Sequence, residues 1–215
     1  LQLGIRTLPF INLLAWVVDL PFEDYHSHMM DIDEDSEAQG SILCRSCGLC
    51  CTGHLFAWVK LKSSELDAAE GLGMDVCRSD PAWRGFSQPC PLWQGECTIY
   101  HTSRYPRACR AYQCKLLKEV LHGSKALSDA QAVVNQAKGM IHEVEAMLPA
   151  SPNPNFRARL VAHIENPEPS AAREESYRAF LLKADALLRF YDENFGVNDL
   201  VESSDFLSKS LRASG

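Results

Sequence analysis

Cys44-Arg45-Ser46-Cys47-Gly48-Leu49-Cys50-Cys51 sets four thiols within eight residues, and the rest of the chain reads most easily as its setting. A second group, Cys90, Cys97, Cys109 and Cys114, follows, with Cys77 alone between the two. Overlapping CxxC steps at Cys44, Cys47 and Cys50 let a tight turn direct successive sulfurs at one centre, and Gly48 permits the backbone geometry of such a knuckle. Cys51 is the unusual member, because adjacent side chains diverge and do not readily share one tetrahedral ion. Three roles stay open for it: ligand of a second metal, ligand in place of Cys50, or redox-active thiol.

The candidate metal ligands are therefore Cys44, Cys47, Cys50, Cys51, Cys90, Cys97, Cys109 and Cys114. Eight thiols satisfy two four-coordinate zinc sites, or one iron–sulfur cluster on four cysteines with the remainder in a second site. Thiolate softness admits zinc and iron–sulfur alike, and spacing does not choose between them. Closed all-cysteine sites are commonly structural, so metal without turnover stands beside a redox or catalytic use of the same ligands. Cys77 reads as a buried small hydrophobe. His54 and His101 lie near cysteine positions and read as hydrogen-bonding neighbours or surface groups.

Composition narrows the setting. A chain of 215 residues buries enough core to fold without disulfide staples, yet eight of its nine cysteines fall between residues 44 and 114. Such local clustering points to metal ligation in a reducing compartment, hence a cytoplasmic protein, more than to an extracellular disulfide scaffold. The formal net charge of -7 argues against a nucleic-acid partner, which requires a basic field. Arg104, Arg107, Arg110, Lys115 and Lys118 form a local basic group that reads as a solvated face or as balance for thiolate charge.

The apolar run over residues 8–20 is too short to span a bilayer, is interrupted by Pro9 and Asn12, and has no A-x-A cleavage pattern after it. It reads as a buried helix or as an extension ahead of a start at Met29 or Met30, with no membrane partner. His26 and His28 read as surface residues, and Asp31 to Glu37 as a solvated acidic leader. Alternation over His54 to Lys62 predicts a short strand or extended arm, and Ser64 with Asp67 predicts the cap of a short helix closed by Gly71 and Gly73. The Pro- and Gly-rich residues 78–96 read as loop, with Trp83, Phe86, Leu92 and Trp93 packing over the cysteines.

Helical spacing of Tyr112, Leu116, Leu117, Val120 and Leu121, stopped by Gly123, puts Cys114 on a helix with Cys109 at or before its start. Ser128 with Gln131 predicts a capping box ahead of an apolar stripe from Val133 to Met147. A turn at residues 151–155, a helix near Phe156 to Ile164, and a longer helix capped by Ser170 and ended by Gly196 follow. Leu200 to Leu211 reads as a last amphipathic piece of a bundle. The expected fold is mainly α with a short extended arm, a loop-rich cysteine-cluster metal site packed on a C-terminal helical bundle. Its divisions are an N-terminal extension and leader over 1–40, a metal-binding region over 41–123, and a helical region over 124–215.

The order Cys44-x-x-Cys47-Gly-Leu-Cys50-Cys51, Cys90-Pro-Leu-Trp, Cys97-Thr-Ile-Tyr100 and Tyr105-Pro106-x-x-Cys109-Arg110-x-Tyr112-x-Cys114 resembles the CxxCxxCC family of zinc- or iron-chelating proteins, the YkgJ-type cysteine-cluster proteins. The match covers about residues 41–118. One departure is the Arg-Pro that commonly follows the Ile-Tyr; here it is split as Arg104-Tyr105-Pro106 and the loop to Cys109 is longer. The resemblance implies that the eight cysteines are ligands. A similar module occurs in flagellin lysine N-methylase, where the resemblance implies an iron–sulfur cluster and S-adenosylmethionine.

The leading expectation is thus a metal-binding protein, zinc or iron–sulfur, with a structural, carrier or redox role. One alternative is an iron–sulfur-dependent enzyme that modifies a protein side chain; the other is an assembly or interaction module with a protein partner. No catalytic residue is assigned. Gly71-x-Gly73 lacks the third glycine of a nucleotide loop, the CxxxCxxC of radical S-adenosylmethionine enzymes is missing, and a Cys51–His54 nucleophile pair has no visible orienting group.

Overall fold

The structure, a computed structural model, describes residues 34–79, 84–165 and 175–198. The run over 8–20, His26, His28, the start at Met29 or Met30, Asp31, Trp83, the Ser170 cap and the piece from Leu200 to Leu211 lie outside the described residues. The described chain is mainly helical with one small sheet: α1 (Glu34–Cys47), β1 (Trp58–Lys60), α2 (Leu66–Gly71), β2 (Val76–Cys77), β3 (Gly85–Ser87), α3 (Arg107–Ala111), α4 (Lys115–Leu121), α5 (Leu127–Glu145), α6 (Phe156–Glu165) and α7 (Glu175–Phe195). Among the described residues no helix is long and apolar enough to cross a membrane.

The acidic stretch is the first surprise. From Glu34 it is the opening turn of α1, and the helix continues through both Cys44 and Cys47. Glu34, Asp35 and Glu37 sit at its positive N-terminal end and Arg45 in its last turn, the arrangement that a helix macrodipole favours. Cys44 and Cys47, three residues apart, therefore share a helix face and do not belong to the turn. The turn begins one residue later, where Gly48 adopts φ +76°.

Two apolar clusters organise the described chain. The larger joins Leu43, Leu49 and Leu55 to the inward stripes of α4, α5, α6 and α7, including Ala130, Val134, Ala137, Ile141 and Val144 on α5. Helices α1, α4, α5 and α7 pack on one another around it. Gly40 of α1 lies so close to α4 that an added Cβ would come within 2.5 Å of Leu121 Cδ2, so a larger residue there would push the Leu121 side chain aside. The smaller cluster gathers Leu61, Leu66, Ala69, Met74, Phe86 and Ile99 around the sheet. The sheet runs in the order β1-β3-β2 and is antiparallel throughout, with Val59 opposite Phe86 and Phe86 opposite Val76.

Several local expectations are corrected. Residues 78–96 are not all loop: β3 is the central strand of the sheet, which places Phe86 in the core at 1% exposure. Ser64 and Asp67 do not cap α2; Glu65 accepts the Lys62 N–H at 3.0 Å, and a 3₁₀ turn over Ser63–Glu65 leads into the helix. Ser128 lies inside the first turn of α5, whose N-cap is Ala126 with no side-chain cap bond. The single helix expected after Arg107 is two, because Tyr112 is extended and breaks the run between α3 and α4.

Candidate metal centre

Each cysteine stretch arrives by its own route. Cys44 and Cys47 come from the last turn of α1. After Gly48 the chain folds back tightly: the Thr52 N–H donates to the Gly48 carbonyl at 2.8 Å, and the His54 and Leu55 N–H groups donate to the Leu49 carbonyl at 3.0 and 3.1 Å. Leu49 is thereby buried and the coil carrying Cys50 and Cys51 is fixed. The Trp93 indole lies directly over Gly48, where an added Cβ would approach within 2.2 Å of the ring. Glycine is required twice at this position, by the left-handed φ and by the ring above it.

The second group is tied to the first through the backbone. The Cys90 N–H donates to the Cys51 carbonyl at 2.7 Å, and the Cys97 N–H donates to the Arg45 carbonyl at 3.2 Å. The Arg45 and Glu96 side chains form an ion pair at 2.8 Å beside that bond. Cys109 precedes α4 as expected but lies within the separate short helix α3, and the Tyr105 hydroxyl donates to its carbonyl at 3.3 Å. Cys114 is the N-cap of α4: its Sγ accepts the Leu117 N–H at 3.4 Å, which gives the sulfur a donor and the helix a cap.

All eight candidate ligands, Cys44, Cys47, Cys50, Cys51, Cys90, Cys97, Cys109 and Cys114, line one cavity of about 310 Å³ between the two apolar clusters. The rest of the wall is mostly apolar, from Leu43, Leu49 and Leu55 on one side to Met74, Phe86 and Ile99 on the other. The nine cysteines of the chain are free thiols. Cys77 stands outside the cavity, half-buried on the edge strand β2 with Ser79 beside it, less buried than the small hydrophobe expected. The eight thiols wall a space and do not meet at a point: among the described residues no three His, Cys, Asp or Glu side chains are grouped to hold one ion.

Electrostatics across the cavity are those of bare thiols crowded out of water. Burial pushes the Cys44 thiol up to about 12, with Cys47 the next contributor, and the Cys47 thiol up to about 11. Cys109 is pushed up to about 12 by burial and then by Cys90. Burial followed by neighbouring thiols also raises Cys50 and Cys51 well above the ordinary range, and burial raises Cys90 and Cys114. Each of these groups keeps its proton at neutral pH unless a positive charge enters the cavity. A soft cation supplies that charge and displaces the protons, so the donor set suits a thiolate-held metal in its chemistry. One further atom fits a guest: Gln88 is 4% exposed, lines the cavity, and its Oε1 has no hydrogen-bond partner among the described residues.

Sequence reasoning missed the residues that support the site. Asn155, expected only as part of a turn, is 5% exposed and donates from Nδ2 to the carbonyls of Ala57 at 3.1 Å and Gln88 at 2.9 Å. Its Oδ1 accepts the Ala158 N–H at 2.8 Å, capping α6, so one amide ties the coil after Cys51 and the strand before Cys90 to the helical core. Tyr100 and Tyr105 line the cavity, and burial raises both phenols. Their places beside Cys97 and Cys109 in sequence were the available signal. His54 packs against Phe156 with ring centroids 5.0 Å apart and planes tilted by 53°, and shares a 2.6 Å hydrogen bond with Thr52, and burial lowers its pKa; it supports the coil and does not line the cavity. His101 is exposed, 3.4 Å from the Ser41 hydroxyl. Arg104, Arg107, Arg110, Lys115 and Lys118 are exposed as expected. No family model, curated protein or solved structure matches this chain.

Proposed function

We propose that this chain is a cysteine-cluster metal-binding protein that holds zinc or an iron–sulfur centre in a structural, carrier or redox role. The observation that carries the reading is the convergence of eight reduced thiols, from separate stretches of sequence, on one cavity with otherwise mostly apolar walls. Cysteines used only as small hydrophobes would fill a core; here they surround a space. Burial penalises the charge of Cys44, Cys47, Cys50, Cys51, Cys90, Cys109 and Cys114 until a cation compensates it, and an all-sulfur donor set selects zinc or iron–sulfur over hard oxygen-seeking ions. The metal's contribution when bound is a positive charge that holds thiolates in an apolar setting. The chain's own residues do the rest: Trp93 covers the turn at Gly48, Asn155 fixes the surrounding coils, and Cys114 is oriented by the first turn of α4.

The test is metal analysis with an absorption spectrum on anaerobically purified protein. Zinc in a colourless protein, or iron and sulfide with broad absorbance near about 400 nm that dithionite bleaches, is the expected result. Cys47→Ser and Cys109→Ser should each lose metal and stability together, because metal binding is folding energy. A wild-type chain that takes up neither metal after anaerobic reconstitution, and whose unfolding is unchanged by chelator, would sink the reading.

A further inference from the structure

Resting on that reading, we propose that the cavity's thiols divide into two four-thiol sets, each to take its own metal centre, one of Cys44, Cys47, Cys50 and Cys114 and the other of Cys51, Cys90, Cys97 and Cys109, with the adjacent pair Cys50 and Cys51 parted between them. Neither pure sequence order nor the two visible sequence groups gives this division. It exchanges one member of each group, Cys114 for Cys51.

Packing makes the division first. Cys44, Cys47, Cys50 and Cys114 all pack against the large helical cluster, whereas Cys90, Cys97 and Cys109 pack against the small cluster around the sheet. The α1–α4 contact explains why Cys114 joins the first set: with Gly40 against Leu117 and Leu121, the last turn of α1 comes level with the N-cap of α4. Backbone bonding assigns the remaining residue, because the Cys51 carbonyl accepts the Cys90 N–H at 2.7 Å and so sits on the sheet side.

Filling each set replaces thiol protons with metal charge and releases those protons to solvent, with no redox change in the protein.

The unmodified chain provides the first test, with no variant needed. Anaerobic titration of the reduced, metal-free protein with cobalt(II), read by thiolate-to-cobalt charge transfer, should saturate at two equivalents with four sulfurs per metal. Parallel arms with zinc, and with ferrous iron plus sulfide, tell which centre forms; two per chain is expected in the arm that loads. Cys114→Ser and Cys50→Ser should each lose the same half of the metal, and Cys90→Ser and Cys51→Ser the other half. The Cys50→Ser/Cys114→Ser double variant should keep one centre, whereas Cys50→Ser/Cys51→Ser should keep neither. Saturation at one equivalent, or loss of all metal in each of the four single variants, overturns the partition while leaving the metal-binding reading intact. A wild-type chain that binds none of the three metals overturns both.

Discussion

Replacing Gly48 with alanine puts a methyl group into the face of an indole. The added carbon would lie 2.2, 2.5 and 2.6 Å from Cζ2, Cη2 and Cε2 of Trp93, well inside contact distance for ring atoms that cannot swing aside as a flexible side-chain end can. The residue must also keep φ +76°. Holding a non-glycine residue in the left-handed region costs about 1–2 kcal/mol, and overpacking a rigid neighbour costs about 1–3 kcal/mol. Gly48→Ala should therefore lose about 2–5 kcal/mol in urea unfolding of the anaerobic protein, with metal content falling in parallel because Leu49, Cys50 and Cys51 follow directly. A double-mutant cycle separates the two causes. In a Trp93→Ala background the steric part disappears, so the same substitution should cost only about 1–2 kcal/mol. A loss below about 1 kcal/mol in the native background, or an equal loss in both backgrounds, would refute the reasoning.

Asn155→Ala removes two buried donor bonds and the cap of α6, and should cost about 2–4 kcal/mol by urea denaturation; a cost under about 1 kcal/mol would mean that water replaces the amide. For the metal-free protein, the folded-state values of Cys44, about 12, and Cys47, about 11, lie above the ordinary thiol value of 9.0, so the fold binds more protons than the unfolded chain in that window. Its stability should accordingly be full below pH 9.0 and fall as pH rises through the folded values, and a urea midpoint that stays flat from pH 8 to about 10.5 would contradict this. Cys77→Ser should leave metal content unchanged and shift stability by less than about 1 kcal/mol, since the residue lies on the edge strand away from the cavity; loss of metal in that variant would place Cys77 among the ligands.

The long helices were legible because their apolar spacing is strong. Ala137, Ile141 and Val144 on α5, and Tyr177, Phe180, Leu181, Ala184, Leu187, Leu188 and Tyr191 on α7, are buried as the pattern predicts. The short elements were not legible, because tertiary partners decide them. β3 runs only from Gly85 to Ser87 and depends on pairing with β1, distant in sequence, on one side and two-residue β2 on the other, so prolines around it outweighed it in a local reading. In α1 the relevant signal was present and misread: acidic residues ahead of a cysteine run mark a helix N-terminus as well as a solvated leader. The eight cavity-lining cysteines were all visible from their spacing. Of their supporting residues Trp93 was visible too, but Asn155 was not, since it reaches Ala57 and Gln88 across a long stretch of chain that periodicity does not connect.

The cavity lies along a seam, with the helical cluster on one side and the sheet cluster on the other. Apolar contact is interrupted where the thiols stand, so on the proposed reading metal bound there would fix the joint between two plates, each with a core of its own. Removing it should loosen the joint before either plate melts. In hydrogen exchange the amides of Cys90, Cys97 and Thr52 would then open early on chelation, while those within α5 and α7 stay protected to the global limit.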